Sequence, residues 1–202
     1  MIKAIVYDFD GMVFEEPHFY TEELEIKYGI PLKESLFSDD PRYLDCKKGK
    51  ITLNQFLKNY YEKWRKYPKY QLRFEEAKKE WFEFAKINEE IIKIAKRLKG
   101  QGIVNLILTN NTRERIEYLD KKHQLSKIFG IIGSYDLGIL KPHPAFYKIL
   151  KEKFKLKPEE ILCFDNKEKN IKGLKKLGFK AVIYKRVGDF KSELKKAKLW
   201  TN

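Results

Sequence analysis

Apolar residues are arranged in two patterns along this chain. Five short, near-continuous apolar runs, at 3–9, 103–108, 128–133, 161–164 and 181–184, are rich in Ile and Val. Runs of this length and continuity predict strands buried on both faces, as in a parallel sheet. Between the later runs, residues 112–123, 144–154 and 170–177 repeat their apolar positions at helical spacing. Strand and helix therefore alternate from residue 87 onward, and a basic helix over 188–199 closes the chain. This order predicts an α/β fold with a doubly wound parallel sheet.

The interval 15–86 breaks the alternation. Helical spacing recurs at 19–28, 52–67 and 74–84, with no convincing strand, and Pro31, Pro41, Gly49 and Pro68 punctuate it. Thr52 followed by Gln55 has the pattern of a helix N-cap with Gln at the third position. The expected organisation is a core of residues 1–14 and 87–202, with an all-helical cap, or lid, of residues 15–86 inserted over the end of the sheet. No internal repeat or low-complexity tract interrupts it.

A hydrophobic content of 43% with 14% aromatics belongs to a globular chain. No apolar run approaches the length of a membrane span. The first residues lack a signal-peptide pattern, so the expected compartment is the cytoplasm. Cys46 and Cys163 form no metal or redox spacing and are expected as reduced thiols, Cys163 within the apolar Ile161-Leu162-Cys163-Phe164. The net charge of +14 is unevenly placed. Residues 15–86 carry 15 basic and 14 acidic side chains, whereas residues 141–202 carry 18 and 7. Solvated lysine faces account for most of this, and a field that draws in anions is the sharper reading.

In a doubly wound sheet, ligands bind beyond the carboxyl ends of the strands. Asp8-Phe9-Asp10-Gly11 follows the first predicted strand, Thr109-Asn110-Asn111 the second, and Asp165-Asn166 the fourth, while Lys141 lies beyond the third. Three carboxylates, a hydroxyl and a lysine would thus meet on one rim. Phosphoryl transfer needs such a set. Asp8 and Asp165 are hard oxygen ligands suited to Mg²⁺, and one carboxylate can be a covalent nucleophile. Another can carry the proton, while Lys141 and Thr109 offset and bind phosphoryl oxygens. Asn110 or Asn111 has a second reading as the N-cap of the helix at 112–123. His18 reads as a surface or hinge residue. The aromatic residues Tyr60, Tyr61, Trp64, Tyr67, Tyr70, Phe74, Trp81, Phe82 and Phe84 read as packing within the lid, with base stacking as the alternative.

Asp8-Phe9-Asp10-Gly11-Met12-Val13, Thr109, Lys141-Pro142 and Phe164-Asp165-Asn166 with Asn170 resemble the four ordered motifs of the haloacid dehalogenase superfamily. The resemblance covers nearly the whole chain, and the helical insertion is similar to that of the family's helical-cap branch. It implies Asp8 as nucleophile and metal ligand, and Asp10 as general acid and base with its carbonyl on the metal. It places Phe9, Gly11, Asn110 and Asn111 with Thr109 around the phosphate, Lys141 against its charge, and Asp165 and Asn166 at the metal. Many relatives carry Asp where this chain has Asn166, which implies weaker metal binding here. An acid at the position of Asp10 is absent from the dehalogenases, so phosphate substrates are implied.

The resulting expectation is a Mg²⁺-dependent phosphomonoesterase acting on a small phosphorylated metabolite through an aspartyl-phosphate on Asp8. A sugar phosphate is expected ahead of a nucleotide, and neither a nucleic acid nor a membrane is an expected partner. A sugar phosphomutase on the same scaffold is the alternative, and a non-catalytic anion- or nucleic-acid-binding protein is the more distant one.

Overall fold

The computed structural model describes residues 1–37 and 40–201. Five parallel strands form the main sheet: β1 (Ala4–Asp8), β4 (Val104–Thr109), β5 (Gly130–Gly133), β6 (Ile161–Asp165) and β7 (Lys180–Ile183), in the order β5-β4-β1-β6-β7. The apolar runs mark all five. Each becomes a strand because its side chains have a hydrophobic layer to enter on either face. Ile5 and Tyr7 of β1 point into one layer, with α6 (Glu89–Gly100), α7 (Arg113–His123) and α11 (Val187–Lys196). Ala4 and Val6 point into the other, against α9 (Pro144–Phe154) and α10 (Glu168–Lys176). Each aliphatic side chain buried this way contributes about 1.5–3 kcal/mol. Two polar side chains inside satisfy each other: the Tyr7 hydroxyl donates to Asn105 Oδ1 at 3.0 Å, and Asn105 Nδ2 donates to the Ala95 carbonyl at 2.7 Å.

The register brings the chemistry to one level. Asp8 lies opposite Leu108, so Thr109 stands one residue beyond it on the neighbouring strand. Val6 lies opposite Cys163, which carries Asp8 and Asp165, each two residues further on, to the same height.

Between Tyr20 and Phe84 the chain is helical: α1 (Tyr20–Tyr28), α2 (Leu32–Ser35), α3 (Pro41–Lys47), α4 (Leu53–Trp64) and α5 (Phe74–Phe84). Thr52 and Gln55 cap α4 reciprocally, Gln55 N–H to Thr52 Oγ1 at 3.2 Å and Thr52 N–H to Gln55 Oε1 at 2.9 Å. All nine aromatic residues noted in the sequence pack in or against a third hydrophobic cluster within this insertion. The short α2, α3 and α8 (Ser134–Leu137) carry too few turns for a periodic signal. The interval also holds strand structure, against the sequence expectation. β2 (Phe14–Glu15) pairs antiparallel with β3 (Lys86–Ile87), so the two chain crossings into the insertion are stitched together. Two-residue strands 72 positions apart leave no local pattern.

The insertion rests on the sheet's end through specific contacts. Leu53 N–H donates to Glu114 Oε1 at 2.7 Å and the Ser134 hydroxyl to the Lys47 carbonyl at 2.6 Å. Gly49 has φ +72°, and a β-carbon there would meet the Tyr135 carbonyl oxygen at 2.5 Å. Only glycine fits that approach. Both cysteines are free and buried. No helix among the described residues is long and apolar enough to cross a membrane.

Candidate active site

Asp8 ends β1, Thr109 ends β4 and Asp165 ends β6, three adjacent strands with β1 between the others. Lys141, in the segment between α8 and α9, reaches across all three. Its Nζ donates to Asp8 Oδ1, to Asp165 Oδ2 and to the Leu108 carbonyl at 2.8, 2.8 and 2.7 Å. These are buried groups, and their charges govern one another. Burial pushes the Asp8 carboxyl up to about 6; Lys141 opposes the shift and Asp165 adds to it. Burial acts against the Lys141 ammonium as well, but the two carboxylates outweigh it and hold its pKa above the ordinary value.

The oxygens of the site are not equally engaged. Asp8 Oδ1 accepts from Lys141 and, at 2.8 Å, from the Phe9 N–H. Among the described residues nothing donates to Asp8 Oδ2. Asn170 Nδ2 donates to both oxygens of Asp165, at 2.9 and 2.8 Å, and the Lys167 N–H adds a bond at 2.9 Å. Asp165 is therefore fixed in orientation. Asn166 Nδ2 lies 3.3 Å from the Asp10 carbonyl, directly over Gly11. A β-carbon on Gly11 would sit 2.0 Å from that nitrogen, so the Asn166 side chain would have to move, and the φ of +84° is what favours glycine there. No group of three His, Cys, Asp or Glu side chains suited to a metal occurs among the described residues. The carboxylates of Asp8 and Asp165, with the backbone carbonyl of Asp10, could hold a hard divalent cation that keeps several waters.

The structure divides the predicted phosphate-binding residues. Asn110 and Asn111 reach the rim, but their carboxamides bond to protein groups. Asn110 is tied to the Lys141 backbone, donating to its carbonyl at 2.9 Å and accepting from its N–H at 2.8 Å. Asn111 Nδ2 donates to Asp10 Oδ2 at 2.9 Å, and its Oδ1 accepts from the Thr112 N–H at 2.9 Å. One asparagine thus places the lysine and the other places the aspartate. The second is also a local cap, and Thr112 rather than an asparagine precedes α7.

Sequence reasoning missed Arg115. It is 3% exposed, and its Nη1 donates to Asp10 Oδ1 at 2.7 Å, with Nη2 3.7 Å from Glu16. Its guanidinium also lies 5.8 Å from the Phe9 ring centroid. Burial would weaken its charge, but Asp10 and then Glu16 keep its pKa raised. The available signal was an arginine beside Ile116 on the buried face of α7. Lys47 was missed too. With Tyr43 on α3, it lines a cavity of about 500 Å³ that holds Asp10, Gly11, Asn166 and Lys167. Burial, then the nearby Lys167, lowers its pKa to about 8. His18 lines the same space, with Nε2 3.0 Å from Glu23.

Residues 2–178 match the model of the haloacid dehalogenase-like hydrolases. The chain belongs to this family. It is 24% identical to D-ribitol-5-phosphate phosphatase of Bacteroides thetaiotaomicron, over 96% of this chain and 97% of that protein. It is 30% identical to bifunctional epoxide hydrolase 2 of Rattus norvegicus over 54% of this chain, and the match spans 21% of that longer protein. A HAD family enzyme of Bacteroides thetaiotaomicron, solved with magnesium and inorganic phosphate, superposes with a TM-score of 0.76 at 20% identity, covering 92% of this chain and 95% of that one.

Proposed function

We propose that this hydrolase is a Mg²⁺-dependent phosphomonoesterase that transfers the phosphoryl group of a small metabolite to Asp8 and then to water. The observation that carries this reading is the inequality within Asp8. One oxygen is held by Lys141 and the Phe9 N–H, and the other accepts no hydrogen bond from any of the described residues. A nucleophile needs such a free oxygen on a fixed carboxylate. Phosphatases among the chain's relatives, and the neighbour crystallised with magnesium and phosphate, support the same chemistry.

In this reading, Asp8 Oδ2 forms the new P–O bond as the ester P–O bond breaks, and Asp10 delivers a proton to the leaving oxygen. Asp10 then takes a proton from the water that attacks phosphorus, and Asp8 is released. Arg115 and Asn111 hold one oxygen of Asp10 each, which keeps its carboxyl group in one orientation. Asp8, Asp165 and the Asp10 carbonyl would hold Mg²⁺, which supplies positive charge against the phosphoryl oxygens. Lys141 and Thr109 act from the other side. The helices from Tyr20 to Phe84 act as the cap that excludes water from the strand ends.

The wild-type protein is expected to hydrolyse 4-nitrophenyl phosphate with Mg²⁺ and to stop on chelation. Asp10→Asn is expected to lower kcat by about 10²–10⁴ on an alkyl phosphate, whose leaving oxygen needs a proton, and by much less on 4-nitrophenyl phosphate. Equal losses on the two would remove Asp10 from the proton-transfer role. Asn166→Asp places a carboxylate beside the Asp10 carbonyl. It is expected to lower the Mg²⁺ concentration for half-maximal rate by about tenfold; a metal titration of both proteins checks this.

A further inference from the structure

A second, smaller cavity, of about 240 Å³, also reaches Asp10 and differs in character from the larger polar one. Its aromatic walls are Tyr20, Phe37, Tyr43 and Trp81, and Glu16, Thr21 and Arg115 line the rest beside Asp10. These rings brace one another: Phe37 meets Tyr43 and Trp81 edge-on at 5.1 and 5.3 Å. The walls are therefore fixed before any ligand arrives. Phe19 and Leu36 stand at this cavity and remain 71% and 52% exposed. A single exposed apolar residue is ordinary, but two beside one aromatic-walled opening leave an apolar path uncovered. Asp10 borders both cavities, and in the proposed reaction it faces the leaving oxygen, so the group attached to that oxygen has this apolar space within reach.

We infer that this cavity is the leaving-group subsite, and that the substrate carries an apolar portion, an alkyl chain or an aromatic ring, next to its phosphate ester. The inference rests on the phosphomonoesterase reading for the position of the leaving oxygen. It goes against the expected preference for sugar phosphates. A polyol would lose hydration against Trp81, Phe37 and Tyr20, with only Thr21, Glu16 and Arg115 to bond it at the inner end, and would meet more polar partners in the larger cavity among Lys47, Lys167 and Glu22.

The test is the affinity of n-alkylphosphonates, which keep the phosphate-like head but cannot be hydrolysed, measured by calorimetry on the intact chain with Mg²⁺. Kd is expected to fall by about fourfold per added methylene from methyl- to butylphosphonate, as the chain leaves water. Propylphosphonate is expected to bind more tightly than 2,3-dihydroxypropylphosphonate, which has the same carbon skeleton. Phe19→Ser and Leu36→Ser change exposed side chains and are expected to flatten the chain-length gain. A Kd that does not fall with length, a preference for the hydroxylated analogue, or an undiminished gain in both variants overturns the inference. Turnover of 4-nitrophenyl phosphate is scored separately. Its absence alongside a normal chain-length gain would defeat the phosphatase reading and leave the apolar subsite standing.

Discussion

Asp8→Asn is expected to reduce turnover of any phosphomonoester by roughly 10⁴-fold or more while the protein stays folded. The carboxamide has the shape of the carboxylate and can still accept from Lys141 and the Phe9 N–H, which are 2.8 Å away in the wild type. It cannot form the acyl phosphate. The same substitution has a stability signature that a general loss of structure would not produce. Burial raises the Asp8 pKa from 3.8 to about 6, so the metal-free fold favours the protonated carboxyl. That contribution is fully present below pH 3.8 and is lost as pH rises through about 6. Above pH 7 the ionised Asp8 therefore costs the metal-free protein a few kcal/mol, about 3 at the size of this shift. Asparagine does not titrate. In chelator, Tm of Asp8→Asn should exceed that of the wild type at pH 7.5 and approach it near pH 4. Thermal unfolding at both values checks this. A lower Tm for the variant at pH 7.5 would mean that the Asp8–Lys141 attraction outweighs burial of the charge.

The positions that could be read from the sequence are those fixed by the backbone alone. An apolar run ends where its strand ends, and strands of one parallel sheet end on one rim, so Asp8, Thr109 and Asp165 were placed by run boundaries and register. The first-motif glycine was legible as a motif, but its reason, a left-handed φ of +84° beneath Asn166, required the fold. Asn110 and Asn111 show where such reading stops. A carboxamide next to a strand end takes whichever partner the nearest loop offers, and here those are the Lys141 backbone and Asp10, 31 and 101 residues away. Arg115 was hidden for the opposite reason. Arginine is common on helices, and only the carboxylates of Asp10 and Glu16, brought in from the first strand's loop, make this one a buried counter-charge. Lys47 lies at the end of a seven-residue helix with no periodicity to announce it. The apolar cavity was least visible, because, of its rings, only Trp81 stands in the sequence reading, as lid packing, while Tyr20, Phe37 and Tyr43 carry no signal of their own. Trp81 does pack there, and it also faces a space beside Asp10.

Lys141→Met should be the most destabilising change in the site, and one that Mg²⁺ largely reverses. Methionine fills a similar volume but carries no donor. Its introduction strips Asp8 Oδ1, Asp165 Oδ2 and the Leu108 carbonyl of a shared partner, and leaves two buried carboxylates facing each other without a cation. Removing one member of a buried charge cluster typically costs about 3–5 kcal/mol. In chelator, denaturant unfolding should show a loss of that order. The Asp8 pKa should also climb further, because Lys141 is what opposes its rise. In the proposed reading Asp8 and Asp165 would both hold Mg²⁺, so at saturating Mg²⁺ most of the lost stability should return. Activity should not. In the proposed reaction Lys141 also offsets charge on the phosphoryl group, and loss of one such preorganised group costs about 10²–10³ in kcat. The separation of the two readouts is the decisive feature. If Mg²⁺ restored neither stability nor rate, Asp8 and Asp165 would not share a metal. If it restored both, Lys141 would serve only as a stand-in for the cation in the metal-free protein.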